Sequence, residues 1–415
     1  MKKAVLFAPF WRQAAGHVGN YRVDRFLRWL ATDGFYVVLV RAGSITGQRS
    51  LPWGEELTVR DPLGFYRDTV AANGVPVKPR RPNMLRRSIA CWLFNPDPGI
   101  IWARTAAKHK AVLEQAAGAS CVISSSPPES AHVGAATLAK KLKADLIIDM
   151  RDGWFDEPLK SLLRDSKLRQ WRESKLERAI LLQANKILVT SPVWKSLLED
   201  RLPFTQDKTV VLTNGYPPEG LFNLKHTRER SANDPLQLVH AGRFTGSRFS
   251  QRVSYLLEPL LLGLRGPGSN GVITLLGSLE VSDLKEIKRW QPQFNSKGWT
   301  IEVKDAVPRA EMMLLLSQAD GLLLLSASHA VIPSKLFEYL LLKKPIFTAT
   351  LQSSAVWKLG VLLEQLFLTD YRRPDEHVAR SYISACGNIE NKYEIPDQFT
   401  EETLSKIFIG KVLIA

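Results

Sequence analysis

Short runs of β-branched and leucine-rich residues alternate with longer stretches in which apolar residues recur at helical spacing. The first pattern is typical of buried β-strands, and the second is typical of helices that pack one face on a sheet. Their alternation along nearly the whole chain predicts βα units and parallel sheets. In the first half the predicted strands are Ala4–Ala8, Phe35–Val40, Cys121–Ser124, Leu146–Asp149, Lys186–Val189 and Thr209–Leu212, and the predicted helices are Val23–Thr32, Ser130–Leu142, Lys167–Ala184 and Val193–Glu199.

The second half repeats this alternation after a Pro/Gly-containing segment, Gly215–Gly220, and a polar stretch, His226–Pro235. Such a break is typical of a domain boundary, so we expect an N-terminal domain over residues 1–213 and a C-terminal domain over residues 214–390. The pattern predicts an α/β protein of two Rossmann-like, doubly wound domains that face a central cleft. The predicted strands are Leu236–Ala241, Val272–Leu276, Thr300–Val303, Gly321–Leu325 and Pro345–Thr348, and the predicted helices lie near Val253–Leu264, Asp283–Trp290, Arg309–Ser317 and Ser334–Leu342.

Length and composition agree with this picture. A chain of 415 residues suits two domains, and 45% hydrophobic and 23% charged residues are globular values. No apolar run approaches the roughly 20 residues that span a bilayer, and Pro9 and Arg12 interrupt the apolar start, which favours a first β-strand over a signal peptide. Cys91, Cys121 and Cys386 give neither a disulfide framework nor zinc-ligand spacing, which fits a reducing cytoplasm.

The formal net charge of +15 is concentrated in part of the first half. The stretch Lys78–Lys110 holds eight basic residues and one acid, Asp97, together with apolar residues that include Trp92 and Trp102. Basic residues beside tryptophan suit the headgroup layer of an anionic membrane. We therefore expect peripheral association with the inner face of the cell membrane, with a solvated basic face over a buried Trp as the alternative.

Three segments of the first half follow predicted strands and are candidates for chemistry. A glycine-containing loop, Gly16–Arg22, which includes Gly19, would let backbone approach a ligand near a helix N-terminus. The segment Ser124–His132 and the sequence Asp149-Met-Arg-Asp-Gly-Trp154 would bring four side chains to the cleft rim: His132, Asp149, Arg151 and Asp152. A carboxylate there would bind an acceptor hydroxyl or act as general base. The alternatives are that Arg151 pairs with an aspartate and that His132 packs on its helix.

Two segments of the second half predict a phosphate and ribose site. Arg243 and Arg248 stand five positions apart on a glycine-containing loop, and guanidinium groups donate paired hydrogen bonds to phosphate oxygens. Pro333 and Ser334 open a helix whose free amide groups and positive dipole end would favour phosphate. Lys335 would add charge or point outward. Glu338, one turn further on, would accept hydrogen bonds from ribose hydroxyls, because a carboxylate within Leu-Phe-Glu-Tyr-Leu is costly to bury without partners.

As an ordered set, these segments resemble bacterial glycosyltransferases of family 4, especially those that build capsules, O-antigens and exopolysaccharides. The matching segments, which extend over most of the chain, are Ser125-Ser-Pro-Pro with Ser-Ala-His132, Asp149-x-Arg-Asp152-x-Trp154, Val189-x-Ser191, Thr213-Asn-Gly215-Tyr, His240-Ala-Gly-Arg243 with Arg248, Val307-Pro with Glu311, and Pro333-Ser-Lys335-x-x-Glu338-Tyr-Leu-x-x-x-Lys-Pro345.

The resemblance implies a hexosyltransferase of the GT-B fold, with a nucleotide-sugar donor in the C-terminal domain, a lipid-linked or glycan acceptor at the N-terminal domain, and no cofactor or required metal. Residues 391–415 would form a helical segment that crosses back to the first domain. By the same resemblance, Arg243 and Arg248 meet the diphosphate and Glu338 meets the ribose. Asn214, Gly215 and Ser334 would line the donor side.

One position departs from the family pattern. Many members carry two glutamates eight positions apart; here the second is Glu338, and the first position is Ala330. The family implies transfer with retention, although a base such as Asp152 would permit inversion.

The alternatives from other classes are a GT-B nucleotide-sugar epimerase and a non-catalytic protein that binds a nucleotide or a polyanion. Nucleic acid is not expected as a partner, because the chain has no Walker loop, RNA-binding aromatic signature or zinc pattern.

Overall fold

The computed structural model describes residues 2–11, 18–64, 93–155, 166–217, 231, 234–245, 251–264, 270–388 and 393–413. The chain forms two compact units: unit 1 contains Met1–Thr213 and Glu402–Ala415, and unit 2 contains Asn214–Glu401. The chain therefore passes from one unit to the other between Thr213 and Asn214, and it returns at Glu402.

Unit 1 is built on an eight-stranded sheet of order β3-β4-β2-β1-β5-β6-β7-β8. Neighbouring strands pair parallel, except that β3 runs antiparallel to β4. The exposed polar strand β3 was not predicted, because it lacks the apolar residues of a buried strand. The strands are β1 Lys3–Phe7, β2 Tyr36–Gly43, β3 Gly47–Leu51, β4 Gly54–Arg60, β5 Cys121–Ser126, β6 Asp145–Met150, β7 Lys186–Val189 and β8 Thr209–Val211.

The helices of unit 1 include the end of the chain. The C-terminal helix, Glu401–Phe408, and the π-helical turn Ile409–Leu413 after it place Leu404 and Phe408 in the core of the first half. The Phe408 ring centroid lies 5.0 Å from that of Phe26. The other helices are α1 Val18–Thr32, α2 Ile100–Ala106, α3 Lys110–Gln115, α4 Ser130–Leu142, α5 Lys167–Gln183 and α6 Pro192–Arg201.

Unit 2 is built on a parallel six-stranded sheet of order β11-β10-β9-β12-β13-β14. Buried aliphatic residues of β9, β10 and β12 share one core cluster with residues of α7, α8 and α12. The strands are β9 Leu236–Ala241, β10 Gly271–Leu276, β11 Trp299–Lys304, β12 Gly321–Ser326, β13 Ile346–Thr350 and β14 Leu366–Asp370, and the helices are α7 Ser254–Gly263, α8 Val281–Asn295, α9 Arg309–Gln318, α10 Ser334–Leu341, α11 Ala355–Gly360 and α12 Glu376–Gly387. The predicted α/β fold with two parallel sheets is confirmed.

A buried ion pair joins α1 to the end of β6. Nε of Arg22 lies 2.9 Å from both carboxylate oxygens of Asp149, and Nη2 lies 2.6 Å from Oδ1. The Ser125 hydroxyl donates to Oδ2 at 2.6 Å, and Arg22 also donates to the carbonyl oxygens of Leu212 and Thr213. Asp149 is fully buried, so its charge depends on these donors.

The structure corrects two sequence expectations in this region. The glycine-containing loop before α1 was predicted to extend to Arg22, but the helix already begins at Val18, so Gly19 lies in its first turn. Gly16 lies outside the described residues. Asp149 was expected at the cleft rim, and this is wrong: its side chain is fully buried and pairs with Arg22 of α1.

The predicted membrane-facing stretch is described only in part. Residues 78–92, which include Trp92 and the basic cluster up to Arg87, lie outside the described residues. Trp102 was expected to face a membrane, and this is wrong: it is fully buried, its indole Nε1 donates to the Val59 carbonyl at 3.0 Å, and its ring packs 5.1 Å from Phe7. Within the described part of the chain, every helix is too short or too polar to cross a bilayer.

Replacing Arg22 with glutamine should destabilise unit 1 strongly, because Asp149 stays buried without its cation. Removing one partner of a buried ion pair costs about 3–5 kcal/mol, and urea unfolding followed by circular dichroism measures the loss. The matched control is Lys110→Gln, which breaks the exposed Lys110–Glu114 pair and should change the unfolding curve little. Equal, small effects of the two substitutions would contradict a structural role for the buried pair.

Candidate functional site

The first half places its predicted site residues in two different environments. His132 lies on α4 with a fully buried side chain: its Nδ1 is 2.8 Å from the Ser124 hydroxyl, and its ring is 5.6 Å from that of Trp154. This differs from the expected position at a rim and matches the packing alternative. Arg151 and Asp152 are half-buried in the bend after β6, so their side chains remain accessible to a ligand.

The segment that was expected to line the donor side begins unit 2. Asn214 is half-buried and Gly215 is buried. The next residue, Tyr216, fixes this segment, because its amide donates to the Phe399 carbonyl at 3.0 Å and its hydroxyl donates to the Pro396 carbonyl at 2.8 Å. The segment is thus held by residues 396–399 of the same unit.

In unit 2, α10 is fastened to the carboxyl end of β9. The amide of Ala241 donates to the hydroxyl oxygen of the fully buried Tyr339 at 3.0 Å, and the Lys335 ammonium donates to the Ala241 carbonyl oxygen. Pro333 precedes the helix in an extended conformation and, as the cap residue, gives the first turn no side-chain hydrogen bond. Ser334 and Lys335 in that turn are half-buried. The two predicted segments of the second half therefore meet at one place.

Two glycines allow this close approach. A Cβ atom at Gly242 would lie 2.7 Å from Lys335 Nζ and 3.0 Å from His240 Nε2. Gly277 has a φ of +151°, and a Cβ atom there would lie 2.1 Å from the Gly242 carbonyl oxygen. Side chains at these positions would collide with neighbouring protein atoms, so glycine permits the close packing of the ends of β9 and β10 against each other and against Lys335.

Glu338 is buried and pairs with an arginine that the sequence analysis did not identify. Arg309, the first residue of α9, places Nη2 2.7 Å from Glu338 Oε1. Among the described residues, Oε2 receives no hydrogen bond. Burial raises the pKa of Glu338, and the nearby Arg309 and Lys335 oppose that rise. The sequence indicated Arg309 only indirectly. A buried carboxylate requires a nearby cation, but the sequence does not identify which basic residue supplies it.

His240 is the second residue that sequence reasoning did not assign. Its Nδ1 lies 2.9 Å from the Leu323 carbonyl oxygen, which can only accept, so Nδ1 carries the proton and Nε2 is an acceptor. Nε2 is buried and has no hydrogen-bond partner among the described residues. Burial, together with the charge of Lys335, lowers the pKa of His240 to about 3, so the ring stays neutral. His240 Nε2 is therefore a buried hydrogen-bond acceptor beside Lys335 that a ligand can use.

The charges at this end of the sheet are mainly positive. Burial lowers the pKa of Lys335 to about 8, Glu338 opposes that shift, and Arg243 reinforces it. Arg243 itself is exposed. Arg243, Lys335 and Arg309 set three positive charges against the one carboxylate of Glu338, so the site favours an anion.

Two further expectations concern residues around this cluster. Arg248 lies outside the described residues. Ala330, which departs from the expected family pattern, is buried. Among the residues that the structure describes, there is no group of three or more histidine, cysteine, aspartate or glutamate side chains arranged to hold a metal ion.

Residues 19–215 match the sequence model of the glycosyl transferase 4-like domain. No curated protein sequence matches the chain.

Several solved structures share the fold of the whole chain. The Anabaena protein Alr3699/HepE in complex with UDP and glucose aligns over 100% of both chains, with a TM-score of 0.57 and 11% identity. The lipopolysaccharide outer core galactosyltransferase WaaB in its apo form aligns over 100% of this chain and 99% of its own, with a TM-score of 0.56 and 13% identity. The E. coli trehalose-6-phosphate structure bound with UDP-2-fluoro glucose aligns over 100% and 99%, with a TM-score of 0.60 and 11% identity.

At such low identities the structural likeness establishes the fold, while the family match in the first half carries the assignment to a family. Together they support the resemblance drawn from the sequence motifs: residues 19–215 form a glycosyl transferase 4-like domain, and the whole chain has the GT-B fold.

Proposed function

We propose that the protein is a glycosyltransferase and that it binds its nucleotide-sugar donor at the carboxyl ends of β9 and β12. The observation that carries the proposal is Glu338, which is held by Arg309 through one oxygen and keeps Oε2 for a ribose hydroxyl. Lys335 and Arg243, with the first turn of α10, supply the charge for the diphosphate. Structural neighbours with bound UDP or UDP-glucose support a donor of this class.

The reaction breaks the bond between the anomeric carbon and the diphosphate oxygen and forms a bond from that carbon to an acceptor hydroxyl oxygen. The leaving diphosphate gains negative charge, which the cations of the site stabilise. The hydroxyl proton passes to a base or to the leaving diphosphate. Retention is the outcome that the resemblance supports, and Asp152, with Arg151 beside it, is the accessible carboxylate for binding or deprotonating the acceptor. His132, which is fully buried and shares a hydrogen bond with Ser124, would position the segment after β5.

We also propose that the acceptor is a lipid-linked glycan reached from the inner face of the cell membrane, in the synthesis of a cell-surface polysaccharide. The membrane proposal is supported by helix α5, in which the acidic side chains are buried and most of the basic side chains are exposed. Glu173 and Glu177 are buried and pair with Arg169 and Arg201, respectively.

The outer face of α5, which we call the α5 basic face, combines cations with apolar side chains. Trp171 is 55% exposed, and Lys175 Nζ lies 4.2 Å from its ring centroid. The other exposed members are Lys167, Leu168, Arg172, Arg178 and Leu182. Four cations and no exposed acid on one helix face, with tryptophan and leucine between them, match the chemistry of an anionic membrane surface.

A nucleotide that binds only the folded state raises the melting temperature, so UDP-glucose should stabilise the protein in a thermal-shift assay.

Glu338→Gln should reduce UDP affinity at least several-fold, because hydrogen bonds to a charged group contribute about 1.5–3 kcal/mol. The exposed acid Glu364 provides a matched control, Glu364→Gln. If both variants bind UDP like the wild type, Glu338 does not hold the ribose.

Removing the guanidinium in Arg243→Ala should weaken UDP binding far more than uridine binding, since only UDP presents phosphate oxygens. Isothermal calorimetry with both ligands measures the difference. Equal losses for the two ligands would show that Arg243 is structural.

The affinity for UDP should fall as the pH rises through about 8, because the Lys335 ammonium loses its charge there. Below that pH the ammonium is charged and attracts the diphosphate; above it the amine is neutral. Lys335→Arg keeps its charge throughout and should bind UDP with no such fall. The same fall in the wild type and in Lys335→Arg would assign the titration to another group.

Sedimentation with phosphatidylglycerol-containing vesicles tests the membrane proposal. Binding should weaken strongly between 0.1 M and 1 M salt, as the Debye length shrinks from about 10 Å to about 3 Å. Trp171→Gln/Lys175→Gln should lose most of the binding. The control Leu284→Gln/Lys288→Gln removes an exposed leucine and an exposed lysine from α8 and should bind like the wild type. Equal binding by both double variants would mean that the α5 basic face does not contact lipid.

A further inference from the structure

A cavity of about 810 Å³ lies in unit 2 beside α7 and α8. Its volume falls within the range of roughly 300–1,000 Å³ that is typical of sites for small molecules. Among the described residues, its walls contain none of those assigned above to the donor. The cavity is lined by α7, α8 and the segment after β14, together with Thr245 after β9 and Ala327 after β12, whereas the donor residues lie on α9, on α10 and at positions 241–243 at the end of β9. We call it the Tyr255 cavity.

Cations dominate the walls of the Tyr255 cavity. Arg252, Lys285, Arg289 and Arg372 face it with a single acid, Glu286, which gives a net charge of +3 (four minus one). Among the residues that the structure describes, none of these five side chains forms an ion pair. Cations that gather around one concave surface without carboxylate partners raise the local concentration of anions.

Aromatic rings and a fixed hydroxyl complete the walls. The Tyr255 and Tyr371 rings stack with centroids 4.4 Å apart and an angle of 9° between their planes. The Thr245 hydroxyl donates to Oδ1 of the fully buried Asp283 at 2.6 Å, and the Thr245 amide donates to the same oxygen at 3.2 Å. Tyr255, Tyr371 and Thr245 are therefore held in place by packing and hydrogen bonds, which lowers the entropy cost of binding against them.

These walls select among anions. Guanidinium groups bind carboxylates and phosphates through paired hydrogen bonds. The two tyrosine rings already stack on each other, so a nucleotide base cannot insert between them, while their edges and outer faces can pack against the C–H groups of a sugar ring. The volume suits one or two sugar units.

We propose that the Tyr255 cavity is a second binding site, separate from the donor site, for an anionic sugar: a mono- or disaccharide unit that carries a carboxylate or a phosphate. Arg252 and Arg372 approach it from the start of α7 and the end of β14, and Lys285 and Arg289 approach it from α8. The site gives the enzyme a means to hold a charged glycan unit apart from the sugar that it transfers.

Calorimetry on the full chain tests this with digalacturonic acid and glucose 1-phosphate, against the neutral sugars maltose and glucose. At least one anionic probe should bind the wild type, and the one that binds identifies carboxylate or phosphate as the preferred group. Lys285→Gln/Arg289→Gln should weaken that binding by about tenfold or more, as expected for lost charge-assisted hydrogen bonds. The matched control Lys288→Gln/Lys297→Gln removes the same charge from α8 and the residues after it, outside the cavity, and should change the affinity by less than about twofold.

Three results would overturn the proposal: binding of neither anionic probe above the level of the neutral sugars, equal losses in the two double variants, or an equal loss of UDP affinity in Lys285→Gln/Arg289→Gln. The last result would make the cavity part of the donor site. UDP affinity of the wild type is measured in the same experiment, so a failure of the donor site is distinguished from a failure of this cavity.

Discussion

The burial of one carboxylate, Glu338, within an apolar helix determines how the strand ends of unit 2 are arranged. An isolated buried carboxylate is very costly, so the fold brings Arg309 of α9 against it and keeps Lys335 one turn away. Lys335 and Tyr339 in turn fasten α10 to the end of β9. The same contacts that stabilise the carboxylate thus bring helix, strand and cations together around one small region.

A buried acid in each unit has a different set of hydrogen-bond partners, and this difference distinguishes a structural carboxylate from one that can bind a ligand. In unit 1, Asp149 is fully buried and accepts hydrogen bonds on both carboxylate oxygens, from Arg22 and Ser125. In unit 2, Glu338 is held through one oxygen only, and the neighbouring His240 presents a buried acceptor atom. An incompletely satisfied polar cluster at the end of a strand is a feature of ligand sites.

Much of the fold follows from sequence pattern, because buried parallel strands read as short aliphatic runs. Ser130–Leu142 and Leu236–Ala241 were predicted with the observed bounds. The polar strand β3 and the first turn of α1 were not, since exposed strands carry little apolar signal and Gly19 reads as a loop. The sequence also indicated Glu338 and Lys335, but Arg309 and His240 became recognisable only as spatial partners, and Trp102 belongs to the core because packing and not charge decides its position.

The central claim is that Glu338 recognises the ribose of the donor. Its most direct test is a thermodynamic cycle that combines Glu338→Gln with removal of the ribose hydroxyls, using UDP and its 2′,3′-dideoxy analogue in calorimetry. The account predicts that the wild type loses affinity several-fold when the hydroxyls are absent, and that the variant binds both ligands about equally. If the variant discriminates between the two ligands as strongly as the wild type does, Glu338 does not contact the ribose, and its burial serves only to anchor α9 to α10.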